Sequence, residues 1–136
     1  LTISDISFLY AISEPAIQDA VARVFGLSMG KGSSILGSYM HSMTIIRNLC
    51  AHGCRIYNRL FEQKPSLNKK EKALLIKNSK GELDNAHFYG FLLIMRRMLS
   101  PNEFRKLKDS IIMLTKKYPF VRMDYYGFRG DWQQML

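Results

Sequence analysis

The sequence predicts an all-α fold, and three observations carry the prediction. Apolar residues recur at helical spacing through most of the chain. A capping box with proline in its favoured place opens a helix at Ser100. A central stretch divides into one apolar and one polar arc when wound at about 100° per residue. With 47% hydrophobic and 12% aromatic residues among 136, the chain has the material for a packed core, and its length favours one domain. The expected organisation is a single helical domain over residues 1–136, with four to six helices and an irregular aromatic C-terminal tail.

The first segment, Ser4 to Phe25, places Ile6, Leu9, Tyr10, Ile17, Val21 and Val24 as two short helices would, with Pro15 dividing or beginning one of them. "GLSMGKGSS" then brings Gly26, Gly30 and Gly32 into a flexible connection. It lacks the glycine spacing and the preceding strand of a phosphate loop.

A long central helix is expected over about 34–61, with Gly37 and Gly53 as its weak points. Measured from Arg47, one arc of about 140° holds Arg47, Ala51, Asn58, Arg55, Asn48, Arg59 and His52. The opposite arc holds Ile45, Ile56, Leu49, Leu60, Gly53, Ile46, Tyr57, Cys50 and Phe61. One face can enter a core while the other presents a polar strip.

Pro65 stops that helix, and six lysines from Lys64 to Lys80 make residues 62–81 a basic, solvent-facing linker with room for one short helix. Its charge either keeps the surface solvated or attracts nucleic acid. Helices follow over about 83–99 and 101–118. The second puts Phe104, Leu107, Ile111 and Leu114 at core spacing and ends before Pro119. In the tail, Tyr125, Tyr126, Phe128 and Trp132 offer large rings for docking across helices, or for stacking on bases.

Lys and Arg number 20 against 11 acidic residues, a formal charge of +9. This favours an anionic partner without choosing among RNA, DNA and an acidic protein. No apolar run reaches the roughly 18 residues of a membrane span, and no secretory leader opens the chain; no membrane partner is expected, and the cytoplasm is the expected compartment. Cys50 and Cys54 lack the companions of a zinc site and read as reduced thiols facing the packed side. No metal or cofactor is expected. The methionines read as core filling, and His41 and His87 as structural or surface residues. Because the sequence starts at Leu1, a longer parent protein is expected.

Chemistry can be placed on the polar strip. Asn48 and His52 are four residues apart, His52 and Arg55 three, and Arg59 continues the face. Histidine moves protons near neutral pH, while arginine holds phosphate oxygens with a charged fork. RNA can be cut without a metal when its own 2′-hydroxyl attacks the adjacent phosphate, so a protein need only transfer protons and stabilise charge. His52 could serve either proton transfer, Arg47 could hold the nonbridging oxygens, and Asn48 could orient His52 or bind phosphate. One histidine does not serve both transfers at once. Two antiparallel copies related by a two-fold axis would supply a pair of His52 and Arg47 residues around one phosphate.

"RNLCAH", Arg47 to His52, resembles the arginine, four residues, histidine motif of HEPN ribonucleases. The longer "SYMHSMTIIRNLCAHGCRIYNRLFEQKP" resembles the Abi-like proteins of the bacterial abortive-infection D/F type, in the order Arg47, Asn48, Ala51, His52, Arg55, Asn58, Arg59. "DISFLY" and "KKYPFVRMDYYGFRGDW" extend the likeness on both sides, over nearly all of this chain and roughly the C-terminal half of a full member.

The resemblance implies a HEPN-like helical bundle and a toxin-like or antiphage defence role. It also implies a metal-independent endoribonuclease in which His52 and Arg47 are catalytic, with Asn48 beside them. Arg55, Asn58 and Arg59 match further family positions and are assigned to RNA binding or an interface. RNA, a second copy or a related HEPN-like domain, and an antitoxin or defence partner are the implied partners. Many members carry a second histidine where this chain has Gly53. The alternative is a noncatalytic RNA-binding or regulatory protein-interaction domain, in which His52 tunes an interface.

Overall fold

Thr2 opens the first helix with a capping box: its hydroxyl accepts from Asp5 N, and the Asp5 carboxylate accepts from Thr2 N at 2.7 Å. Helix α1 spans Ile3–Ile12 and α2 spans Pro15–Val24, with Pro15 at its first position. The computed structural model describes residues 1–27 and 31–136; the glycine-rich connection falls partly on residues 28–30, outside the described residues. Helix α3 then runs Gly32–Ala51. Four further helices follow: α4 at Lys69–Lys72, α5 at Phe88–Met98, α6 at Pro101–Lys117 and α7 at Trp132–Met135, with a 3-10 turn at Met123–Tyr126 before the last. Among the described residues the regular secondary structure is helical, with one isolated bridge between Lys77 and Leu83. The fold is all-α.

Two compact units divide the chain, Leu1–Cys54 and Arg55–Leu136. In the first, α1 and α2 both pack on α3, around buried Tyr10, Ala22, Leu36, Tyr39 and Ile46. Tyr10 ties the three helices: its hydroxyl lies 2.9 Å from Ser33 O and 3.2 Å from Gln18 O, while Gln18 Nε2 donates to Tyr10 O. Other apolar residues of α1 and α2, including Phe8, Ile12 and Val24, face outward.

The central helix is shorter than its apolar pattern predicts, ending at Ala51 rather than near 61. Gly53 is the reason. With φ +62 it takes the left-handed position after the helix, Gly53 N donates to Cys50 O at 3.1 Å and Cys54 N reaches back to Leu49 O at 2.8 Å. This pair of bonds is the Schellman closure, which satisfies carbonyls the helix cannot. Gly26 closes α2 the same way, with Leu27 N donating to Ala22 O.

A Cβ at Gly53 would meet no neighbour within 4 Å, so the cost of substitution there is backbone strain alone. Gly53→Ala is expected to destabilise the first unit by about 1–2 kcal/mol, and Gly53→Asn by less, because Asn tolerates this region. Urea denaturation followed by circular dichroism measures both; equal losses would remove backbone strain as the cause.

The second unit is built around α5, where Tyr89, Phe91, Leu92, Leu93 and Ile94 are buried. This helix begins at Phe88 rather than near 83 because the preceding side chains make local bonds that compete with helix. Asp84 Oδ1 accepts from Ala86 N, Asp84 Oδ2 meets His87 Nδ1 at 2.6 Å, and Asn85 Nδ2 donates to Pro65 O. The basic linker is partly docked rather than wholly solvent-facing, since Pro65, Leu67 and Leu75 are buried. Glu71 anchors it twice, accepting from Asn68 N in a second capping box and gripping the Arg97 guanidinium at 2.9 and 3.1 Å.

Helix α6 starts where its sequence signals place it. Ser100 caps, Pro101 leads, and Glu103 accepts from the Ser100 hydroxyl at 2.7 Å and from Ser100 N at 3.1 Å. These bonds, the hydroxyl's first, hold the Glu103 carboxyl below the ordinary carboxylate value. A depressed folded-state value means that the cap contributes at neutral pH and is lost as pH falls below the ordinary range near 4.5. Glu103→Gln is therefore expected to flatten the acid limb of the stability–pH curve. An unchanged acid limb, read by thermal melts between pH 3 and 7, would count against the cap.

The aromatic tail is more organised than expected. Phe128 and Trp132 are buried and meet edge to face with centroids 5.0 Å apart, and Tyr126 meets Tyr57 similarly at 5.2 Å. Packing occupies these rings.

Candidate functional site

Arg47 and Asn48 sit near the C-terminal end of α3, Asn48 in its last turn, and their side chains meet: Arg47 Nη1 donates to Asn48 Oδ1 at 3.0 Å. Arg47 is exposed and Asn48 half-buried. One of the two roles open to Asn48 is thereby redirected, since its carbonyl oxygen holds the arginine rather than the histidine.

His52 is the C-cap residue of the same helix, with φ −92 and ψ 7, and its backbone N donates to Asn48 O at 3.0 Å. The ring is exposed, and among the described residues it makes no hydrogen bond or ion pair. A neutral imidazole without partners keeps both a donor and an acceptor nitrogen for a ligand. Gly53 secures this placement. By closing the helix immediately after His52, it leaves the histidine at the terminus instead of along a continuing face.

The continuous polar arc predicted for residues 47–59 does not form, because the helix has ended before Arg55. Arg55, Asn58 and Arg59 belong to the second unit. Asn58 takes a left-handed backbone with φ 50 and its N donates to Tyr125 O at 3.2 Å, and Arg59 lies over the Phe61 ring at 5.8 Å. Isoleucine, tyrosine and phenylalanine at 56, 57 and 61 continue the apolar spacing of a helix. They serve a different end here: Phe61 is buried against Phe91, with centroids 4.5 Å apart, and Phe61 N donates to Ala86 O.

Cys50 and Cys54 are free thiols and both are exposed, not turned to the packed side. Among the described residues no group of three or more His, Cys, Asp or Glu side chains could hold a metal ion. No described helix is long and apolar enough to cross a membrane.

Charge is divided unevenly. Leu1–Cys54 holds three basic residues and three acidic ones, whereas Arg55–Leu136 holds 17 basic and 8 acidic, so the whole +9 resides in the second unit. The sequence showed the excess, but the unit boundary is needed to see that the segment bearing Arg47 and His52 is itself neutral.

No curated protein matches the chain, and no solved structure does. Residues 1–58 match the sequence model of the Abi-like protein family, a span that includes Arg47, Asn48, His52, Arg55 and Asn58 and stops one residue before Arg59. That span comprises the whole of the first unit and the start of the second, and over it the chain is similar to the Abi-like proteins.

Proposed function

We propose that this protein acts in abortive-infection defence as a metal-independent endoribonuclease, with Arg47, Asn48 and His52 of two copies forming a composite site. The observation that carries this reading is the presentation of Arg47 and an unengaged His52 at one exposed helix end. A histidine kept for structure would be buried and hydrogen-bonded; the His52 ring is exposed and, among the described residues, makes no hydrogen bond.

In the reaction, the 2′-hydroxyl oxygen attacks the adjacent phosphorus and the bond to the 5′-oxygen breaks, leaving a 2′,3′-cyclic phosphate and a 5′-hydroxyl. One proton leaves the 2′-oxygen and one arrives at the 5′-oxygen, so neither water nor metal is consumed. His52 of each copy takes one transfer. Arg47, steadied by Asn48, offers its remaining donors to the nonbridging oxygens, where charge builds.

The test is incubation of the purified chain with end-labelled, mixed-sequence RNA in excess chelator, with product ends identified chemically. Cyclic phosphate ends, and a rate per chain that falls on dilution as light scattering shows dimer giving way to monomer, are expected. RNA that is bound and left intact would sink the cleavage reading and leave the noncatalytic RNA-binding or regulatory one.

A further inference from the structure

The basic second unit carries two adjoining cavities that share Arg96. One, of about 330 Å³, is lined by Arg96 from the last turn of α5 together with Pro101, Phe104, Arg105 and Lys108 from α6. The other, of about 470 Å³, is lined by Lys70, Glu71, Leu74, Leu93, Arg96 and Arg97. Both volumes lie in the range of roughly 300–1,000 Å³ typical of sites for small organic groups. Pro101, Phe104, Arg105 and Lys108 follow the three-four spacing of one helical stripe, so α6 presents both cations on the side where Arg96 arrives.

Five cationic side chains line this pair of cavities against one acidic side chain, that of Glu71, which is already held by Arg97, and Leu136 completes the wall of the first cavity. Among the described residues, no ion pair engages Arg96, Arg105 or Lys108. Arg96 spends one nitrogen on Met135 O and Arg105 one on Asn102 Oδ1, so each guanidinium retains further donors. Clustering unpaired like charges is unfavourable without a counter-charge. Such a cluster favours an anionic ligand.

We infer that this groove binds the sugar-phosphate backbone of single-stranded RNA, with Arg96 at the junction and Arg105 and Lys108 on one side of it. The inference rests on the RNA reading above and adds where the strand is gripped: the neutral Leu1–Cys54 unit contributes the Arg47/His52 pair, and affinity comes from the second unit. Nucleic acid is favoured over an acidic peptide because Leu74, Leu93 and Phe104 give the two cavities apolar walls suited to flat bases between the charged contacts.

The test is RNA binding by fluorescence anisotropy across a series of KCl concentrations, using the whole chain and a labelled single strand of mixed sequence. The double variant Arg105→Glu/Lys108→Glu is expected to bind at least tenfold more weakly. The neutral pair Arg105→Gln/Lys108→Gln should reduce the slope of log affinity against log salt by about 1.4, near 0.7 per lost phosphate contact. Lys77→Glu/Lys80→Glu, which changes net charge equally away from the cavities, should cost less than threefold. Melting curves establish that each variant is folded.

If the wild type binds no RNA, the RNA reading itself fails and takes the groove with it. If the wild type binds but both double variants match the Lys77/Lys80 control, the groove is refuted while the RNA reading stands. If the groove variants lose affinity for polyglutamate and keep it for RNA, the partner is an acidic protein and the inference is overturned.

Discussion

His52→Ala is expected to slow metal-independent RNA cleavage by about 10²–10⁴-fold, the usual contribution of a positioned proton-transfer group, with RNA affinity changed by less than twofold. The separation of the two effects follows from the distribution of charge. The imidazole stands in a unit with no net charge, while the excess of nine positive charges lies in the other. Its ring makes no bond to other described residues, so truncation leaves no orphaned partner and the fold should be undisturbed. Single-turnover cleavage in chelator, set beside anisotropy on an uncleavable 2′-deoxy strand, measures both quantities. A variant that melts early, or that loses binding and cleavage in parallel, would assign His52 to structure. Arg47→Lys adds a second check, because lysine keeps the charge but loses the planar fork that spans two phosphate oxygens.

Gly90→Ala is expected to destabilise the second unit by about 1–3 kcal/mol, the usual range for overpacking a tight core. A Cβ there would collide with Asn85 Oδ1 and stand 3.3 Å from Pro65 Cγ. Asn85 cannot swing aside freely, since its Nδ2 donates to Pro65 O at 2.7 Å, and losing that bond would leave buried polar groups unpaired. Gly90 is itself buried in α5, the core helix of its unit. Because the injury comes from one neighbour, Asn85→Ala/Gly90→Ala should be more stable than the sum of the two single changes predicts. Chemical denaturation of the four proteins gives this coupling directly; strict additivity would refute the collision as its source.

What could be read from the chain beforehand tracks how local each determinant is. The start of α6 was legible because Ser100, Pro101 and Glu103 fall within a single turn, and so was the break between α1 and α2 at Pro15. The end of α3 was not. Gly53 was visible as a weak point, yet Ile56, Tyr57, Leu60 and Phe61 prolong the apolar period, and only pairing with distant residues shows that Phe61 is spent on Phe91 and Ala86. Arg47, Asn48 and His52 were found as a motif. The bond between Arg47 and Asn48 was not foreseen, because neighbours in sequence point about 100° apart on a helix and only the long arginine side chain lets them meet. The basic groove escaped notice for a similar reason: Arg96 and Arg105 belong to different helices, and their meeting depends on how α5 and α6 pack.

The closure of α3 at Gly53 also bears on portability. A stretch that reads as one uninterrupted phrase, from Arg47 to Arg59, is written across two structural modules whose border falls between Cys54 and Arg55. A chimera joined at that border would carry Arg47, Asn48 and His52 with one parent and Arg55, Asn58 and Arg59 with the other. Grafting the phrase as a block into a straight helix would instead place all six side chains on a scaffold this protein never uses.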